Sequence, residues 1–119
     1  MSQETRPTHS IPWPAYASEL VGTAVLLTVG LSVVILAFGQ GSPVVNWIPS
    51  AGLRRLIAGF LFGSTGALIA LSPIGKHSGA HINPVVSLSF WRLHKLSLRH
   101  TIGYIIAQFA GAVLGALPL

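Results

Sequence analysis

A run of 24 residues from Ala15 to Phe38 carries a single charged side chain, Glu19, and this run constrains the fold more than any other feature of the chain. A helix needs about 20 mostly apolar residues to cross a hydrocarbon layer about 30 Å thick, so the run is long enough to span a membrane. A secretory signal would have an apolar stretch of about 7–15 residues followed by a small-residue cleavage site. This run is longer and ends in "FGQGSP", which favours a retained span. Composition agrees. Of 119 residues, about one domain's worth, 51% are apolar and 8% charged, against roughly a quarter charged in a soluble domain. A water-facing surface is hard to build from so few charges.

The remaining chain divides around this run. Residues 1–14 are polar on the whole, contain Pro7, Pro12 and Pro14, and read as a loose N-terminal tail. Gly39 to Arg55, with "GQGSP", Asn46, Pro49 and Gly52, reads as a connector. A second apolar run, Leu56 to Leu71, is closed by "SPIG" and places a span at about 56–74. A third run, Thr101 to Leu119, has 19 residues without a charge, enough to cross at about 1.5 Å per residue. With three crossings, Arg6, Lys76, Arg92, Lys95 and Arg99 fall on one side, and Arg54 and Arg55 on the other. Five against two favours a cell-membrane protein with a cytoplasmic N-terminus.

Between the second and third runs the sequence "SGAHINPVVSLSF" (Ser78 to Phe90) places His, Asn, Pro and Gly inside the most apolar part of the chain. Its apolar portion, Asn83 to Trp91, is nine residues long. As a helix it rises about 13 Å, too little to span. A short re-entrant helix, with the loop and helix at about 76–91, reconciles this length with the apolar composition. Irregular backbone at membrane depth is tolerated where protein buries it or where it lines a watery cavity. Asn83 suits the N-cap and Pro84 the first helical position. Gly79 and Ala80 leave room for an extended approach with exposed carbonyls. A buried half-helix N-terminus repels cations and offers donors to neutral polar solutes. Taken alone, "NP" only starts a helix. The flanking spans and the Gly-Ala approach give it the further meaning.

Several function classes are disfavoured. The net charge of +5 comes from basic residues that form neither a stripe nor a basic–aromatic pattern, so no nucleic-acid partner is expected. There is no cysteine, hence no thiolate chemistry. His77 and His81 are four residues apart, but Gly79 between them argues against a helix, no carboxylate joins them, and no metal site is expected. No nucleophile–base pair, carboxylate pair or phosphate loop is present, so neither an enzyme nor a cofactor is expected. Small residues recur every four positions, at Gly103, Ala107, Gly111 and Gly115 in the third run and at Gly59 and Gly63 in the second. This small-xxx-small pattern lets helices approach closely in lipid.

"SGAHINPVVSLSFW" closely resembles the first signature loop of the aquaporin and aquaglyceroporin family, the major intrinsic proteins. "ELVGT" (Glu19 to Thr23) resembles that family's first span, and "IGYIIAQFAGAVLGA" (Ile102 to Ala116) its third. The resemblance covers residues 15–119. It implies an all-α membrane protein with three transmembrane helices and one re-entrant half-helix, one half of the family's inverted repeat. It further implies that Asn83 donates its amide to a passing solute and that Pro84 stacks on its counterpart from a second loop. His81, Gly79 and Ala80 would line the inner vestibule, while Glu19 and Gln108 would hydrogen-bond the loop backbone. Two bland alternatives stand beside these roles. His81 can be a buried imidazole satisfied by neighbours, and Glu19 can sit at the membrane edge. Gly63, 20 residues before Asn83, would take a constriction position at which water- and glycerol-conducting members mostly have an aromatic, and a glycine there implies a wider opening.

Two departures from the pattern matter. Val85 stands where the signature has Ala, and overpacking at such a contact typically costs about 1–3 kcal/mol. The chain also contains one repeat unit where the family fuses two in inverted topology, so one copy is not expected to close a pore. Three expectations follow. The chain is a channel component for water or small neutral solutes such as glycerol, completed in the bilayer by a second half or by a homo-oligomer. Alternatively it is a truncated inactive remnant, a reading suggested by the stop at Leu119 directly after an apolar run. The third is a membrane adaptor that packs helices and transports nothing.

Overall fold

The computed structural model describes residues 12–119, and every regular element among them is helical. Most of the expected tail, including Arg6, lies outside the described residues. The first helix, α1 (Trp13–Phe38), begins two residues earlier than the apolar run. The Pro12 carbonyl accepts from the Tyr16 N–H at 3.1 Å, and Pro14 occupies the first turn, where a missing N–H removes no helical bond. A short helix, α2 (Val44–Trp47), interrupts the connector.

The second long helix, α3 (Ala51–Leu71), starts within the segment expected to be connector. Ser50 caps it, its hydroxyl accepting from Leu53 N–H at 3.1 Å. Arg54 is buried there; its guanidinium donates to the carbonyls of Ile48 (2.7 Å) and Pro49 (3.0 Å) and lies over the Phe38 ring. A charge that finds two carbonyls and an aromatic face need not stay in a loop. The helix stops at Leu71, short of the expected 74. Pro73 opens a separate six-residue helix, α4 (Pro73–Ser78), where only loop was expected. Then come α5 (Pro84–Arg92) and α6 (Leu98–Ala116). The last helix begins before Thr101 because Ser97 caps it, accepting from His100 N–H at 3.1 Å. It ends before Pro118.

Two helices, α1 and α3, are long and apolar enough to cross a membrane. The third expected span is not among them. Its helix opens on Leu98-Arg99-His100 and carries polar Thr101 and Gln108, which dilute its 19 residues.

Burial runs opposite to that of a protein in water. The largest fully buried side chains are Gln108, Glu19, Thr101 and Ser87, all polar, whereas Leu56, Phe60, Leu68, Ile106 and Phe109 are exposed. The polar centre lies where α1, α6 and the loop before α5 meet. Backbone proximity between α1 and α6 makes that meeting possible. A side chain at Gly111 would strike the Leu20 carbonyl, one at Gly115 the Ala24 carbonyl, and one at Gly103 the Tyr16 ring. Buried Ala107 completes the stripe. Thr28 strengthens the far end, its hydroxyl 2.7 Å from the Gly115 carbonyl and 2.9 Å from that of Ala24. The two helices run parallel, since positions pair in ascending order on both. Helix α3 is antiparallel to α1, with Gly22 facing Ile69 and Gly30 facing the Phe62 ring.

The glycine pair of α3 behaves differently from the expectation of close packing. Gly59 and Gly63 are exposed, and a Cβ on either would meet nothing within 4 Å. Within this chain they form no helix contact, because α3 turns them away from α1. This contrast gives a test. Gly111→Val should lower stability by roughly 1–3 kcal/mol, as overpacking against a rigid backbone does, while Gly59→Ala should leave it unchanged or slightly raised. Thermal unfolding of both variants in detergent reads the difference.

Candidate functional site

Glu19 sits on α1, entirely buried. A carboxylate in that position is costly unless donors surround it. Its Oε1 accepts from the His81 N–H at 3.0 Å, and its Oε2 from the Ile82 N–H at 2.7 Å. The Gln108 side chain, reaching from α6, donates to Oε2 at 2.8 Å. The carboxylate thus ties the loop between α4 and α5 to the first helix.

The same Gln108 amide nitrogen also donates to Ser87 Oγ at 3.0 Å, and Ser87 Oγ lies 3.0 Å from His81 Nδ1. Gln108 therefore supports the loop through Glu19 and Ser87, not by a bond to the loop backbone. The Glu19 contact also settles its amide orientation, since a flipped amide would set oxygen against a carboxylate. His81 is buried, stacked on Phe90 with centroids 4.6 Å apart and edge-on to Tyr104 at 5.0 Å. Its surroundings are those of a satisfied interior imidazole. The Tyr104 hydroxyl donates to the Ser78 carbonyl at 2.8 Å, which holds the other end of the loop.

The loop is not the extended approach expected from Gly79 and Ala80. Gly79 has φ +84°, closing α4 in the left-handed region. Ala80 (φ +52°) and Ile82 (φ +42°) also lie at positive φ. Such a conformation is uncommon for a non-glycine residue and an outlier for a β-branched one. Strain of this kind costs on the order of 1–3 kcal/mol per residue and persists where the surroundings over-determine it. The two consecutive N–H groups held by Glu19 provide that determination: the backbone curls so that both point at one carboxylate.

Curling delivers Asn83 to the start of α5. Its Oδ1 caps the helix by accepting from Val85 N–H at 2.8 Å, and Pro84 takes the first helical position. With the oxygen committed to the cap, the amide nitrogen keeps its donors for another partner. Asn83 and Val85 are exposed, and Pro84 is partly so. Asn83, Pro84, Thr23, Phe62 and Gln108 border a cavity of about 250 Å³. Two buried oxygens of its lining residues, Thr23 Oγ1 and Gln108 Oε1, have no partner among the described residues. Gly63 is also exposed, with open space before it.

Sequence reasoning missed Ser87, Tyr104, Ser78 and Thr23. Ser87 left one signal: it lies four residues after the cap Asn83 in a nine-residue apolar helix, where a buried hydroxyl needs a partner. Tyr104 and Ser78 left none, because their bond joins residues 26 apart in the chain.

The network predicts a graded loss. Glu19→Ala leaves two loop N–H groups without their acceptor and takes one of the two acceptors from the Gln108 amide, and should cost about 3 kcal/mol or more, at roughly 1–3 kcal/mol per unsatisfied buried group. Ser87→Ala should cost about 1–3 kcal/mol. Amide hydrogen exchange should accelerate at His81 and Ile82 in the first variant much more than in the second.

Comparison with known proteins bears on what such a site belongs to. The family model described as Major intrinsic protein matches residues 6–119. A probable aquaporin, AqpM, of Archaeoglobus fulgidus is 36% identical over 109 residues, covering 86% of this chain and 44% of that protein. Aquaporin Z of Photorhabdus laumondii is 32% identical over 103 residues, covering 87% of this chain and 41% of that protein. The lens fiber major intrinsic protein of Gallus gallus is 29% identical over 104 residues, covering 87% and 35%. The chain thus spans less than half the length of these relatives. With the family model matched over nearly the whole chain, and the loop, its carboxylate and the parallel α1–α6 pair all within the match, this chain belongs to the major intrinsic protein family.

Proposed function

We propose that this chain forms one half of a membrane channel for water or small neutral solutes such as glycerol. In this reading α1, α3 and α6 cross the bilayer, α4 and the loop enter from the cytoplasmic side, and α5 returns as a re-entrant half-helix. A second unit, either another half or an inverted copy of this chain, completes the pore. The observation that carries the reading is the Asn83 cap. Its carbonyl oxygen is taken by Val85 N–H, its amide donors are left over, and it borders an open cavity. A fixed donor at a half-helix N-terminus suits a neutral polar solute and disfavours a cation.

Val85 is strongly exposed, and Thr23 and Gln108, whose buried oxygens have no partner among the described residues, border the cavity beside Asn83 where a second unit would sit in this reading. Val85 in place of Ala then touches that unit, not its own chain. Gly63 would leave the outer constriction wide, which suits a solute larger than water. The exposed pair Gly59 and Gly63 also supports the adaptor reading, since a foreign helix could approach closely there. In a half-channel the same surface receives the second unit.

Stopped-flow light scattering tests the reading. The chain is reconstituted alone and together with the C-terminal half of the archaeal relative, with Asn83→Asp in parallel. Permeability to water or glycerol should rise in at least one preparation and return to that of empty vesicles with the substitution. Permeability equal to empty vesicles in both, with insertion verified, would leave the inactive remnant as the better account.

Orientation has its own test. Because the sequence lacks cysteine, a single Cys at Lys95 or Trp47 is a unique label site. With the N-terminus in the cytoplasm, an impermeant thiol reagent outside intact cells should label Trp47→Cys and spare Lys95→Cys.

A further inference from the structure

Near their N-terminal ends the parallel helices α1 and α6 line a groove of about 580 Å³. Trp13 and Tyr16 wall it on one side, Ile102 and Ile106 on the other, and Gly103 contributes to its floor. The lining is apolar except at one end, where Arg99 contributes. The only acidic side chain among the described residues is Glu19, which is buried and engaged by the loop. Arg99 therefore has no carboxylate partner among them. We propose that this groove binds an anionic phospholipid of the leaflet in which α1 and α6 begin, an acyl chain lying between the helices and the phosphate on Arg99.

Three features point to that occupant. A groove with an almost wholly apolar lining suits a flexible hydrocarbon chain. The single charged group stands at the end where a membrane reading puts the headgroups, and a guanidinium pairs well with phosphate oxygens. Trp13, exposed at the same end, is the residue type that settles at headgroup depth. A second copy of this chain fits less well, since its buried Glu19 could not reach Arg99 and Glu4 is its only other acidic side chain. The inference rests on the membrane reading above, in which α1 and α6 start at the same surface.

The test uses the full chain with Trp47→Phe and Trp91→Phe, so that Trp13 is the sole tryptophan reporter. It is reconstituted in vesicles containing equal small fractions of brominated phosphatidylglycerol or brominated phosphatidylcholine. Bromine-labelled phosphatidylglycerol should quench Trp13 with roughly fivefold preference, the factor expected for one basic residue at an anionic surface. Arg99→Gln should abolish the preference, and Lys95→Gln, which removes a neighbouring charge outside the groove, should keep it. Equal quenching by both lipids overturns the proposal while leaving membrane insertion intact. An equal fall in preference for Arg99→Gln and Lys95→Gln overturns it as well, since diffuse charge would then explain the effect. No quenching by either lipid overturns the membrane reading itself, and the site with it. Should the tryptophan variants fail to fold, native mass spectrometry of the unaltered chain and Arg99→Gln gives the same contrast as retained phosphatidylglycerol against phosphatidylcholine.

Discussion

A carboxylate placed in an apolar helix must be supplied with donors, and Glu19 collects three from two distant parts of the chain. Two are backbone N–H groups of His81 and Ile82, and one is the Gln108 amide. Much of the structure around the site follows from that requirement. The loop curls through positive φ at Ala80 and Ile82 to present both N–H groups. Ser87 and His81 join the same network from α5 and the loop, and Asn83 is left as the cap that faces open space. Charge-assisted bonds of this kind contribute about 1.5–3 kcal/mol each, enough in sum to offset the backbone strain on the order of 1–3 kcal/mol per residue.

That network needs α1 and α6 to approach more closely than ordinary side chains permit. Gly111 and Gly115 allow it by setting backbone directly on the Leu20 and Ala24 carbonyls. The outcome is a polar centre inside an apolar exterior. Such an arrangement is unfavourable in water, where the exposed Leu, Ile and Phe side chains would drive aggregation, and reasonable in lipid, where they meet hydrocarbon. The exposed Gly59 and Gly63 on α3 show that the same small-residue spacing can mark an internal contact on one helix and an open face on another.

Much of this was legible in the sequence because it is local. The long apolar run, the Asn83-Pro84 helix start and the spacing of small residues in the last helix depend on neighbours within a turn or two. Boundaries were less legible where a side chain found a partner elsewhere. Arg54 marked the connector as a charged residue, yet it is helical and buried because Ile48, Pro49 and Phe38 receive it. Gly79 and Ala80 suggested an extended backbone, yet the carboxylate 62 residues from His81 in sequence imposed a left-handed turn.

By itself, then, the sequence determined the helical periodicity, the apolar surface, the short helix behind Asn83 and the membership of a family. Each of these is carried by adjacent residues or by a contiguous motif. Tertiary structure alone decided that the buried Glu19 carboxylate accepts from two loop N–H groups, that Gln108 bonds Ser87 and that carboxylate, and that the His81 ring stacks on Phe90. It also decided that Gly59 and Gly63 face outward while Gly111 and Gly115 face α1. The physical reason is the same in each case. A hydrogen bond or a close backbone approach depends on which residues the packing brings within a few ångströms, and for pairs such as Glu19–Ile82 and Glu19–Gln108 the intervening chain of more than 60 residues leaves no local trace of the pairing.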